Sequence, residues 1–152
     1  MLILTENSYV EMELCELYIN THYVSSDKRR LKWAEFSEED KEIFLICAKE
    51  MIDSLDFAGI KSYNGQSAAF PRTKRGCWSE KLPKEVLYAQ IEMALWLANK
   101  DTSMRAELRA AGVTGIKFAE ISENYRLDKE VYIPENVLNL LGAWLHGGRE
   151  MI

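Results

Sequence analysis

The sequence has little of what catalysis usually rests on. It holds two histidines, His22 and His146, and three cysteines, Cys15, Cys47 and Cys77. No CxxC pair occurs, which removes the ligand spacing of a zinc site or a dithiol redox centre. HExxH, GxSxG and phosphate-loop sequences are missing as well. Gly112 and Gly115 in "GVTG" lack the strand-GxGxxG-helix setting of a dinucleotide site and read as turn glycines. Each histidine falls at a predicted helix end, where an imidazole meets terminal carbonyls or water. The acids of "SEED" at 37–40 read as a solvated face. These absences point to a protein that works by binding, with no catalytic residue, no metal ligand and no cofactor.

Long apolar runs are missing too. None approaches the ~20 residues of a membrane span, and the start, "MLILTEN", is too short and uncharged for a signal peptide. The expectation is a chain made in the cytosol, with no membrane partner and with its odd number of cysteines kept as free thiols.

What is present suffices for a core. Of 152 residues, 47% are hydrophobic and 28% charged, the balance of a soluble globular chain. At this length one domain is the default, able to bury roughly 70% of its unfolded surface. The net charge of −5 is unevenly placed. Residues 1–60 carry six Lys or Arg against thirteen Asp or Glu, while residues 61–84 carry six against one. An acidic body with one basic insert is a weak footprint for a general nucleic-acid coat. It does offer opposite patches that can register one copy against the next.

Hydrophobic periodicity predicts a mainly α fold of about four principal helices, with a long docked loop and a β-hairpin or extended arm. Ser8 or Asn7 caps a first helix running to about Tyr23, with Val10, Leu14, Leu17 and Tyr18 on one face. A short helix at Asp27–Ala34 exposes charges around Leu31 and Trp33. Ser37 caps the clearest helix, whose first-turn acids suit its positive end and whose stripe is Ile43, Phe44, Cys47, Ala48, Met51, Ile52 and Leu55. It is expected to end near Asp56. Pro83 opens a helix to about Lys100 that is apolar over most of its surface, as a central helix is. Pro134 opens a last helix to His146, stopped by the glycines at 147–148. The helical core is thus expected at 8–56 and 83–100, with the last helix at 134–146.

Two segments break the helical pattern. The connection 57–82 is far longer than the usual ~4–6 residues and contains "AAFPRTKRGCW", with Phe70, Pro71, Arg72, Lys74, Arg75 and Trp78. Its aromatics argue for docked order. Docking onto its own helices, contact with another protein and contact with nucleic acid all remain open for it, since interleaved cations and aromatics also stack on single-stranded bases. The stretch 112–133, with Ile116, Phe118, Ile121, Tyr125 and Tyr132, reads as a hairpin or extended arm. Either it folds on its own helices or it pairs with a neighbour.

Four places in this order resemble a known family, the head-tail connector proteins of tailed bacteriophages. A related subgroup is called DnaT-like single-stranded DNA binding. The places are "NSYVEMELCELYI" (Ser8, Tyr9, Val10 and Tyr18), "KEIFLICAKEMIDSL", "AAFPRT" (Phe70, Pro71 and Arg72) and "LPKEVLYAQIEMAL" (Pro83, Val86, Ala89, Glu92 and Ala94). Cys15 stands where the family has a small residue. The resemblance covers nearly the whole chain. It implies a structural adaptor that assembles with itself into a ring, expected as a dodecamer. The ring would sit on the portal protein, receive a stopper or tail-completion protein, and surround the genomic DNA in its channel. Its place would be the virion neck, after assembly in the host cytoplasm. The alternative function is that of a single-stranded DNA-binding replication accessory.

Overall fold

The computed structural model describes residues 1–63, 65–73, 81–99 and 133–145. Lys74, Arg75, Cys77, Trp78, His146 and the arm residues Ile116, Phe118, Ile121, Tyr125 and Tyr132 lie outside the described residues. Those described form helices α1 (Met12–His22), α2 (Lys28–Ala34), α3 (Glu38–Asp53), α4 (Lys84–Ala98) and α5 (Glu135–Leu141). A two-stranded antiparallel pair, β1 (Ile60–Lys61) with β2 (Arg72–Thr73), lies within the long connection. The fold is mainly α.

Helix α4 is the centre of this arrangement. Ten of its fifteen residues are buried, so it has almost no outer face, and it packs against α1, α2, α3 and α5. A helix apolar nearly all round is stable only when neighbours cover each side. Its two exceptions, Gln90 and Glu92, are polar yet buried. Both turn out to hold other segments in place.

Local chemistry sets several helix ends. The Ser37 hydroxyl accepts from the Asp40 amide at 3.2 Å, and Glu38, Glu39 and Asp40 occupy the first turn of α3. Asp27 caps α2, accepting from the Arg29 amide at 2.8 Å. Helix α3 ends at Asp53, slightly before Asp56, with Ser54 as its C-cap. On α1 the buried residues are Cys15, Tyr18 and Ile19, while Leu17 faces solvent. On α2, Leu31 is exposed but Trp33 is buried, with its ring against Phe44.

Two further helix boundaries differ from expectation. The first helix starts at Met12 rather than Ser8, and its N-cap, Glu11, makes no side-chain cap bond. The Ser8 hydroxyl is committed elsewhere: it donates to the Val10 carbonyl at 2.7 Å and accepts from the Gln90 amide at 2.9 Å. Gln90 also accepts from the Tyr9 amide at 2.8 Å and donates to the Leu45 carbonyl at 2.8 Å. One buried side chain thus receives the Ser8–Tyr9–Val10 segment and ties it to α3 and α4. Gln90→Leu, which keeps the shape, strands the Tyr9 N–H. We expect a loss of about 1–3 kcal/mol, read as a lower denaturation midpoint in urea.

The last helix also stops early, at Leu141. Gly142 is a poor helix residue, and the chain then turns so that Trp144 and Leu145 reach the start of the long connection. The Ala58 amide donates to the Trp144 carbonyl at 2.8 Å, and Phe57 forms an antiparallel bridge with Leu145. That pairing wins over continuation of the helix to His146.

Candidate functional site

The long connection is held from inside by Phe70. Its ring is fully buried and meets three aromatic rings edge-on: Tyr9 at 6.2 Å, Phe57 at 4.8 Å and Trp144 at 5.4 Å between centroids. These partners come from the N-terminal segment, the end of the α3 region and the C-terminal turn. Edge-to-face pairs of this kind add to the area buried. The Phe70 amide donates to the Tyr9 hydroxyl at 3.1 Å. That hydroxyl in turn donates to the Asp53 carboxylate, whose other oxygen accepts from Lys49 Nζ at 2.7 Å. Burial, then the charge of Asp53, pushes the Tyr9 phenol well above its usual range, so it stays a donor.

Arg72 holds the same connection from its outer side. Its guanidinium donates to the carbonyls of Ala58 at 3.0 Å, Ala69 at 3.2 Å, Phe57 at 3.3 Å and Gly59 at 2.9 Å. Gly59 reaches this position with φ +82°, open to glycine at little cost. A guanidinium carries five N–H donors, and four bonds to its own backbone leave almost nothing for a phosphate. Pro71 is buried beside it. The Phe70–Pro71–Arg72 triplet is therefore a clamp that fixes the connection as far as Thr73. Lys81 and Lys84 are exposed, with Lys84 Nζ 5.3 Å from the Tyr88 ring centroid. Lys61 donates to the Gln66 carbonyl at 3.1 Å.

A second polar cluster surrounds Glu92 on α4. Tyr18 Oη donates to Oε1 at 2.7 Å, while Tyr23 Oη and Asn136 Nδ2 donate to Oε2, the latter at 3.0 Å. Burial, followed by the hydrogen bonds to this carboxylate, raises both phenols above their ordinary range. A pocket of about 380 Å³ opens here, lined by Tyr18, Glu92, Asn136, Asn139 and Leu140. His22, at the end of α1, stacks on Tyr18 at 4.0 Å and hydrogen-bonds the Tyr18 carbonyl through Nδ1 at 2.9 Å. The thiols of Cys15 and Cys47 are free and buried, and burial pushes both far up, which leaves little reactive thiolate. Among the described residues, no three His, Cys, Asp or Glu side chains are placed to hold a metal, and no helix is long and apolar enough to cross a membrane.

The Lys49–Asp53–Tyr9 chain and the Gln90 and Glu92 clusters were not singled out as sites from the sequence. Their signal was nonetheless present: "YAQIEMALWLA" puts two polar residues in a helix with no solvent face.

The fold and these clusters define a small, mainly α-helical protein whose polar interior joins its N-terminal segment, its long connection and its last helix. A family model described as "Putative DnaT-like ssDNA binding protein" matches residues 4–152, and the chain belongs to that family. No curated protein matches the chain, and no solved structure does.

Proposed function

We propose that this protein binds single-stranded DNA without chemical turnover, through the basic segment that follows the Phe70–Arg72 clamp in the chain. Membership of the family over nearly the whole chain carries this reading. Arg72 serves the protein's own backbone, so this reading assigns phosphate contact to Lys74, Arg75 and Lys84. Trp78 is the aromatic within that segment suited to stack on a base. Fluorescence anisotropy with a labelled oligothymidylate at several salt concentrations tests this. Affinity is expected to fall with salt, and Lys74→Ala with Arg75→Ala to flatten the log–log slope by about 0.7 per lost phosphate contact. Absence of binding at low salt, or a slope indifferent to both substitutions, refutes the reading.

A second reading is favoured by the acidity of the chain and the order of its four motifs. Residues 1–60 carry most of the negative charge, and Glu38 and Glu39 are exposed. Such a surface repels passing DNA. In this reading the protein is a head-tail adaptor of a tailed phage, ringed on a portal and passing the genome through its bore. Co-sedimentation with portal rings that survives nuclease treatment supports it. Sedimentation lost on nuclease treatment returns the protein to DNA binding.

A further inference from the structure

Three neutral donors hydrogen-bond Glu92, and among the described residues no cation does. A carboxylate offers about four acceptor positions; the described residues fill three of them and leave one on Oε1, where Tyr18 is the single described donor. Glu92 is only 8% exposed, yet no described Lys, Arg or His lies within ion-pair distance of it. The contrast with Asp53, whose carboxylate has Lys49 at 2.7 Å, is direct. Arg29, whose guanidinium lies 4.4 Å from the Tyr23 ring centroid, feels the charge of Glu92 but makes its ion pair with Asp27. A buried carboxylate held only by neutral donors gains most from an incoming positive group that brings hydrogen bonds with its charge.

The pocket beside Glu92 has the space and the walls for such a group. Its volume of about 380 Å³ admits a guanidinium or ammonium with its alkyl stem. Leu140 supplies an apolar wall for the stem, the exposed Asn136 and Asn139 form a polar mouth, and the Tyr18 hydroxyl sits on Oε1. We propose that this pocket is a binding site for an alkylguanidinium or alkylammonium group, which would pair with Glu92 Oε1.

Such a group comes either from a free polyamine-like molecule or from a Lys or Arg side chain. In this chain the net positive charge is concentrated at 61–84. A peptide spanning residues 72–81 is therefore the protein-side probe, and agmatine the small-molecule one. Isothermal titration of the full chain with each is expected to give saturable binding for at least one. Glu92→Gln keeps an oxygen acceptor for the tyrosines but removes the charge. Asn139→Lys places a competing ammonium at the mouth without touching the core. Each is expected to weaken binding about tenfold or more, the worth of one charge-assisted hydrogen bond. Agmatine binding that both variants weaken supports the site with a free cation as occupant. Peptide binding without agmatine binding supports it with a protein side chain. If neither probe binds, or if Asn139→Lys binds as the unaltered chain does, the proposal is wrong. Asn139→Lys alone decides should Glu92→Gln fail to fold. The Glu92 site itself is separate from the DNA-binding reading, although the peptide probe carries the Lys74 and Arg75 assigned to phosphate there.

Discussion

Phe70→Ala is expected to lower stability by about 3–5 kcal/mol, the usual cost of emptying a buried aromatic site. The size follows from what the ring touches. It is fully buried, and its three aromatic partners, Tyr9, Phe57 and Trp144, belong to segments far apart in the chain. Alanine leaves a cavity bounded by rings that cannot all move in, since each is pinned by its own backbone. Tyr9 is held by Gln90 and Asp53, and Trp144 by the Ala58 amide. For a domain whose total stability is about 5–15 kcal/mol, such a loss is a large share. At roughly 2–4 °C per kcal/mol for a chain of this size, the melting temperature drops by about 10 °C. Phe70→Leu, which keeps most of the volume, is expected to cost much less. A loss under about 1 kcal/mol for the alanine variant refutes the cage as a core element. Circular dichroism melts and urea titrations of both variants give the comparison.

Asp53→Ala carries the second large effect. Lys49 has a side chain only 3% exposed, and Asp53 is its sole ion-pair partner among the described residues. Removing the carboxylate leaves an ammonium buried beside the Tyr9 ring, 5.2 Å from its centroid, and takes away the acceptor for the Tyr9 hydroxyl. Breaking a buried pair from one side costs about 3–5 kcal/mol, much of it the unpaired charge. That origin is separable by experiment. Adding Lys49→Met to Asp53→Ala removes the stranded charge, so the double variant is expected to be more stable than Asp53→Ala alone. Additive losses in this double-mutant cycle would show that the two side chains do not interact as the geometry requires. Because Tyr9 also accepts from the Phe70 amide, the same variant is expected to loosen the base of the basic segment.

These two sites explain why part of the fold was legible in the sequence and part was not. The cap at Ser37 and the acids after it act within one helical turn, so their spacing alone announced α3. The near-continuous apolar surface of "PKEVLYAQIEMALWLANK" announced a central helix, and α4 is that helix. The aromatics of "AAFPRT" pointed to docking, and Phe70 lies in the core. Ser8 misled because its type and position suit an N-cap; whether it caps depends on Gln90, eighty-two residues away. The early end of α5 likewise depends on a pairing between residues near 57 and 145. Arg72 was grouped with Lys74 and Arg75 as one basic run, yet its guanidinium turns back to four carbonyls.

Helix type, helix order and the acidic-then-basic distribution of charge followed from composition and periodicity, because those forces act between residues a few positions apart. Which polar groups went inside, and what each one holds, was decided only when distant segments met. A buried Gln, Glu or Lys is tolerated only where its partners arrive from elsewhere in the chain, and local spacing does not record where those partners are.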